Sequence, residues 1–325
     1  MGYSRRKFVH LSVVIPLYNK REYIGRALAS VAKQTYPASE VIVIDDGSTD
    51  DGAEIVERYT GLPVRLIRQR NKGVSAARNA GINAASGEWV AFLDADDEYH
   101  SDFLAQIAEA VLRYPDVGVA YGWSYFLESS ESTVPGKAQA HPLLLDDYLA
   151  YVVFGGGREV NSSSVAIRRD AFAKAGAFPE GVCVGEDSDL WIRLAWTTRF
   201  VVIPTWLSTY HTYAGDSNWS KHIGEDAHWL STYYAWKKNK RIPKRLVRST
   251  EAYVAYYFLS RALYFVTRGE RVKALRVLTT RVNYRMAPSL FVLKVVAHLV
   301  LPIGPLRRAF RQSGFVAIKQ IKRSG

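Results

Sequence analysis

The stretch GEWVAFLDADD, residues 87–97, decides the fold class. Trp89 to Leu93 is a short unbroken apolar run. It is too short for a helix and lacks the alternation of a half-solvated strand, so it reads as a strand covered on both faces. It runs straight into three acids within four residues, Asp94, Asp96 and Asp97. The same grammar recurs upstream. LSVVIPL, residues 11–17, is apolar and broken at Pro16; EVIVIDD, residues 40–46, ends in Asp45 and Asp46; VRLIRQ, residues 64–69, is a third run. Helical spacing fills the intervals: Ile24, Leu28 and Val31 within residues 23–34, then VSAARNAGINAA over 74–85 and FLAQIAEAVLRY over 103–114. Strands and helices alternating at this spacing predict an α/β domain, a mainly parallel sheet with flanking helices. Such open sheets bind ligands beyond the C-terminal ends of their strands, where these acids lie.

The 325 residues are 48% hydrophobic and 23% charged, a globular composition that excludes whole-chain disorder. The length suits one large domain or two ordinary ones. A single cysteine, Cys183, excludes an intramolecular disulfide framework and a multi-cysteine metal site, and fits a reducing compartment. The first apolar run stops at Pro16 with no small-residue cleavage site, so it reads as a strand rather than a signal peptide. Gly2 alone matches a myristoylation pattern, because position 6 is Arg.

The net charge of +12 is divided unevenly. Residues 237–325 hold 21 Lys/Arg against Glu251 and Glu270, whereas residues 1–236 hold 22 Lys/Arg against 29 Asp/Glu. The composition changes at KKNKRIPKR, residues 237–245, the best boundary candidate. No internal repeat of 20–50 residues is visible. A basic, aromatic-rich end suggests an anionic partner. Its most apolar stretch, residues 288–306, is interrupted by Lys294 and His298 and bounded by prolines, whereas a spanning helix needs about 20 apolar residues. Two to four amphipathic helices are expected, docked on the rest of the chain or lying in a lipid interface, with RRAFR and KQIKR favouring anionic headgroups. Nucleic acid is not expected, since no recognised binding module accompanies the charge.

A helix N-cap explains one Asp at each strand end. Three in four residues repel one another unless a cation compensates. Oxygen-only ligands suit Mg²⁺ or Mn²⁺, which commonly bridge one or two carboxylates to a substrate diphosphate. No GxxxxGK[ST] loop occurs and no GxGxxG follows the first strand, which removes the usual supports for NTPase and dinucleotide readings. A second carboxylate pair, Glu186–Asp187, precedes an amphipathic segment in GEDSDLW; a capping Asp187 or Ser188 with an exposed Glu186 is the simpler alternative.

VVIPLYNKREYIGRALASVAKQTY, VIVIDDGSTDDG, NKGVSAARNAGI and GEWVAFLDADD, in that order, resemble the N-terminal half of family 2 glycosyltransferases of the GT-A fold. The resemblance covers residues 11–98 and resumes over 161–195; the last 90 or so residues carry no comparable signature. It implies a Rossmann-like GT-A catalytic domain over 1–236, with a nucleotide-sugar half at about 11–120 and an acceptor half at about 121–236. A basic helical region follows over 237–325.

The resemblance also implies roles. Pro16, Tyr18 and Asn19 would contact base and ribose, and Asp46 would accept a uracil-type N–H. Asp45 would position that loop or cap the next helix. Arg78 would lie near base or phosphate, a solvated helical Arg being the competing reading. Asp94 and Asp96 match the DXD motif. Asp96 is the expected metal ligand, and Asp94 lies near ribose or a metal-bound water. Asp97 would support that loop or cap a helix. In the ED pair, Asp187 is the implied general base, with Glu186 beside it. His211 sits where some members touch metal or diphosphate, although Thr209–Tyr210 replace the usual preceding basic residue. Trp191 either stacks on an acceptor sugar or packs in a helix core, and Asn161 to Ser164 would line the acceptor side after a glycine loop at 155–157.

The implied activity is metal-dependent (Mn²⁺ or Mg²⁺) inverting transfer of a sugar from a nucleotide-sugar, most simply a UDP-sugar. The acceptor would be a hydroxyl of a glycan or lipid-linked molecule in polysaccharide or glycoconjugate synthesis. The expected setting is the cytoplasmic face of an anionic membrane, held peripherally. The alternatives are a membrane-docked nucleotide-binding scaffold with a non-catalytic transferase domain, which the intact DXD and ED pairs argue against, and a nucleotidyltransferase, for which no Gly- and basic-rich triphosphate loop is present.

Overall fold

The computed structural model describes residues 8–127, 141–182, 185–212 and 226–300. Cys183 and the RRAFR and KQIKR runs lie outside the described residues. The chain divides into two compact units, Met1–Asp146 with Arg158–Ala235, and Asp147–Gly157 with Trp236–Gly325.

In the first unit, the apolar runs become β1 (Leu11–Leu17), β2 (Glu40–Asp45), β3 (Arg65–Arg68) and β4 (Trp89–Phe92). Between them lie α1 (Arg21–Ala32), α2 (Gly52–Glu57) and α3 (Val74–Ala84). β5 (Glu98–Tyr99), α4 (Phe103–Arg113), β6 (Val117–Leu127), β7 (Leu143–Leu145), β8 (Val165–Arg168), α6 (Ala171–Ala175), α7 (Glu186–Thr197) and β9 (Arg199–His211) complete the unit, up to α8 (Trp229–Lys238), which crosses into the second. Among the described residues nine strands form one sheet in the order β3-β2-β1-β4-β8-β6-β9-β5, with β7 also on β9. The expectation of a mainly parallel sheet holds for β3-β2-β1-β4. Beyond β4 the sheet is mixed: β8 is antiparallel to both β4 and β6, β9 is parallel to β6, and β5 and β7 are antiparallel to β9. The reversal has a use. Because β8 starts where β4 ends, the turn before it, Ser162–Ser164, is delivered to the acid-bearing edge.

The central parallel strands β1 and β4 are buried at every residue because helices cover both faces, whereas β3 at the edge is exposed at Arg65 and Arg68. Leu11, Val13, Ile15 and Leu17 share one core with Ile24 and Leu28 of α1 and with Phe103, Leu104 and Ile107 of α4. α3 packs on the other side of β1 through Gly81, where an added Cβ would fall on the side chain of Val14. That close approach lets the C-terminal half of α3 lie flat on the sheet and aims its residue 78 at the strand ends.

In the second unit, α5 (Tyr148–Phe154) packs on α9 (Val247–Thr267), which also carries α10 (Arg271–Arg281) and α11 (Ser289–Val300). Leu259, Ala262 and Leu263 of α9 form a core with Leu278 of α10 and Phe291 and Val295 of α11. No helix among the described residues is long and apolar enough to cross a membrane.

Substituting Gly81→Ala is expected to destabilise the protein by about 1–3 kcal/mol, the usual range for overpacking a tight contact. A urea titration of the variant beside wild type measures it.

Candidate active site

The ends of β1 and β2 are stitched together by short polar side chains. Asn19, in the left-handed region at φ 50, accepts from the backbone N–H of Thr49 at 2.8 Å, and its own N–H donates to Ser48 Oγ at 3.1 Å. Asp45 Oδ1 accepts from Ser48 N at 2.9 Å, so Asp45 shapes the loop rather than capping α2. Gly47 sits at φ +75, and a Cβ there would meet Asn71 N at 2.8 Å, so both its backbone and its neighbour require glycine. Pro16 is buried within β1, whereas Tyr18 is 47% exposed beside this turn.

Asp46 is buried at 3% exposure. Oδ1 accepts from Gln69 Nε2 at 2.7 Å and Lys72 N at 3.0 Å, and Oδ2 accepts from Gly73 N at 2.8 Å. The carboxylate thus fixes the loop that leads into α3. Lys72 takes part through its backbone.

Arg78 is the centre of the arrangement. Its side chain is 4% exposed and lies between the two carboxylate motifs, with Nη2 at 2.7 Å from Asp94 Oδ1 and Nη1 at 3.2 Å from Glu186 Oε1. Phe178 packs against the guanidinium, 5.2 Å from its ring centroid. Burial works against the charge, but Asp94 and Glu186 together outweigh it and hold Arg78 protonated. The competing reading of a solvated helical Arg is thereby excluded, because both terminal nitrogens serve carboxylates away from water. Glu186 is pushed up to about 7 by burial and by Asp187, with Arg78 opposing. Asp187 turns Oδ1 back to Ser188 N at 2.6 Å, and Oδ2 has no protein donor among the described residues.

Asp96 accepts from Lys20 Nζ at 2.6 Å, and its carbonyl accepts from Arg26 Nη2 at 2.6 Å. Asp97 is 1% exposed. Its Oδ2 accepts from Ser163 Oγ at 2.5 Å, and Oδ1 accepts from His211 N at 3.1 Å. Ser163 Oγ in turn accepts from Asp94 N at 3.1 Å. Burial, followed by Asp96 and Asp94, pushes the Asp97 carboxyl well above the ordinary range. Asp97 therefore ties the DXD loop to β9 and to the turn before β8, and caps no helix.

Two more of the expected site residues have protein partners here. His211 lies next to the cluster, but its imidazole Nε2 is 2.8 Å from Glu98 Oε2 rather than on Asp94 or Asp96. That contact, ahead of Arg26, holds Glu98 below the ordinary carboxylate range, despite its burial. Trp191 is 4% exposed and packs edge-on against Phe178 at 5.9 Å, so it belongs to the core under Arg78 and offers no face to a sugar. Asn161 caps the turn through Ser163 N at 2.8 Å, and Gly155 to Gly157 belong to the second unit.

Lys20, Arg26 and Tyr210 were not singled out by the sequence. Lys20 had a signal, a cation just after β1. Tyr210 is held neutral by burial and by the charges of Asp97, Asp94, Asp96 and Asp187.

The donors suit a hard divalent cation. Asp96 offers a carboxylate that already holds the Lys20 ammonium, a stand-in cation, and Asp94 stands two residues away. No three His, Cys, Asp or Glu side chains are gathered as a ready ligand set among the described residues.

A family model described as glycosyl transferase family 2 matches residues 12–176. The amylovoran biosynthesis glycosyltransferase AmsB of Erwinia amylovora is 30% identical over 282 residues, 78% of this chain and 92% of that protein. YibD of Escherichia coli is 50% identical over 92 residues, 28% of this chain and 27% of that one. Crystal structures of Staphylococcus aureus TarS 1-349 superpose with a TM-score of 0.55 at 20% identity, covering 85% of this chain and 91% of that one. One of them, in complex with UDP-GlcNAc, gives 0.54 at 19% identity over the same shares. By sequence and by fold, this chain belongs to glycosyltransferase family 2 and has the GT-A architecture of its members.

Proposed function

We propose that this glycosyltransferase moves a sugar from a UDP-sugar to a hydroxyl of a glycan or lipid-linked acceptor, with inversion and with Mn²⁺ or Mg²⁺. The setting is polysaccharide or glycoconjugate synthesis at the cytoplasmic face of an anionic membrane. The carrying observation is the Arg78 bridge, which brings the first acid of the DXD motif and the glutamate of the ED pair to one guanidinium. The UDP-GlcNAc and UDP complexes of TarS support the donor class. The AmsB likeness supports a glycan-building acceptor chemistry.

In this reading Tyr18 and the Asn19 turn flank the nucleoside, with Pro16 and Asp46 holding the walls behind them. Asp46 contributes mainly by fixing the 69–73 loop, and one lone-pair direction remains for a base N–H. Asp96 and Asp94 would hold the cation together with the donor's diphosphate, with His211 steadying Glu98 and, through its backbone, Asp97. A bound cation supplies charge stabilisation to the departing β-phosphate. Asp187 Oδ2 takes the proton of the acceptor hydroxyl as the hydroxyl's own oxygen attacks the anomeric carbon. The bond from that carbon to the diphosphate breaks on the opposite face, so the anomeric centre inverts and the nucleoside diphosphate leaves. Glu186 and Arg78 position the base. A donor-only role, with no acceptor chemistry, would leave the ED pair unexplained.

Asp187→Asn and Asp96→Ala are each expected to lower nucleotide release from a UDP-sugar by at least about 100-fold, the lower end for general-base loss, with an unchanged circular dichroism spectrum. Retained turnover in either variant would remove that residue's role. EDTA is expected to abolish turnover, and Mn²⁺ or Mg²⁺ to restore it. Arg78→Leu leaves the partly buried Asp94 and Glu186 without their cation, and is expected to cost about 3 kcal/mol in a urea titration. The raised Glu186 gives a pH signature. Its folded form stays protonated while the unfolded form ionises from about 4.5 upward. Wild type should therefore lose stability relative to Glu186→Gln as pH rises from 4.5 to about 7, and no further above that.

A further inference from the structure

The second unit carries a surface that the transfer chemistry does not use. α10 buries only Ala274 and Leu278. On its opposite side Val272 is 81% exposed and Leu275 50% exposed. Arg276 and Thr279, also exposed, continue the same i, i+3, i+4, i+7 stripe. α11 repeats the pattern, burying Phe291 and Val295 while Leu293 is 65% and Val296 45% exposed. In the connection between them Tyr284 is 51% exposed. Apolar side chains singly exposed need no explanation, but a succession of them on two helices does.

The charge around them has one sign. Residues 268–285 hold six Lys/Arg and one acid, Glu270. Glu270 is already taken by Lys273 at 2.5 Å, and the other acid of the region, Glu251, by Lys237 at 2.7 Å. Arg271 and Arg276 pair with no carboxylate among the described residues. Aliphatic side chains projecting from a helix between arginines that lack local counter-charge match an interfacial helix on anionic lipid. The apolar groups enter the acyl boundary and the cations meet headgroups. An acidic protein partner would satisfy the arginines, but it would not use isolated Val and Leu tips rimmed by cations as well as a lipid boundary does.

We infer that α10, with Val272 and Leu275 inserted and Arg271 and Arg276 on headgroups, is the contact by which this chain docks peripherally on an anionic lipid surface, with α11 beside it in the sequence adding Leu293 and Val296. The inference rests on the membrane setting proposed above and assigns it to particular residues.

The test is sedimentation of the full chain with vesicles of phosphatidylcholine alone or with phosphatidylglycerol added. Wild type should sediment with the anionic vesicles, not the neutral ones, and should be released by salt. Val272→Asp with Leu275→Asp, and separately Arg271→Glu with Arg276→Glu, should each raise the lipid needed for half-binding by at least about tenfold. All four side chains are solvent-facing, and matching circular dichroism spectra check that the variants fold. Wild type failing to bind anionic vesicles would overturn the membrane setting itself. Variants binding as well as wild type would overturn this face and leave the setting intact. A conservative probe adds a second measurement: an environment-sensitive dye on Val272→Cys in a Cys183→Ser background should shift to the blue only with anionic vesicles. A dye already blue-shifted in buffer would mean that the chain or a second copy covers the face, and would also overturn the inference.

Discussion

A guanidinium removed from water survives as a charged group only where carboxylates take the place of its hydration, and the site is organised around that requirement. Arg78 reaches its place because Gly81, one turn further along α3, lets the helix lie against β1. It is sealed beneath by Phe178, which packs on Phe92 of β4 and on Trp191 of α7. The aromatic layer and the two ion pairs are mutually dependent. The rings exclude water, exclusion strengthens the ion pairs, and the ion pairs stop the buried acids from repelling one another. Without the cation, Asp94, Glu186 and Asp187 would face each other as a cluster of like charges.

The other parts of the site meet the same problem by other means. Asp46 is neutralised by backbone N–H groups and a glutamine side chain, which fixes geometry without adding a charge. Asp96 holds a lysine on a long flexible stem, the most easily displaced of the partners. Asp97 has no cationic partner among the described residues, and burial with the neighbouring acids favours its protonated form. Four aspartates near the strand ends thus have four electrostatic settings, and the one at Asp96 is a lysine ion pair.

Much of this was legible in the sequence, and the boundary of legibility has a physical cause. Short apolar runs located β1, β2 and β4, the last two by the acids that follow them, because burial on both faces of a parallel sheet leaves no alternation. The carboxylate motifs were found because they are contiguous. What stayed hidden were the partners. Arg78 meets Glu186 across 108 positions and His211 meets Glu98 across 113, and no local period records such pairings. Trp191 looked equally suited to a sugar platform or a core, since its helical position gives a face but not the identity of its neighbour. The mixed half of the sheet was unreadable for a related reason: β8 is apolar and four residues long, and its direction depends on which strands accept it.

The hydrogen-bonded line through Ser163 has a bearing on how this enzyme can diversify. An amide N–H at Asp94 can only give, so Ser163 must pass its own hydrogen to Asp97, whose second oxygen is held by the backbone at His211. The loop after β4, the turn before β8 and the end of β9 are thereby keyed to one another atom by atom. A natural recombinant that imported one of these segments from a distant relative would have to bring its counterpart along. Change of specificity is thereby steered towards the loops that lie outside this line.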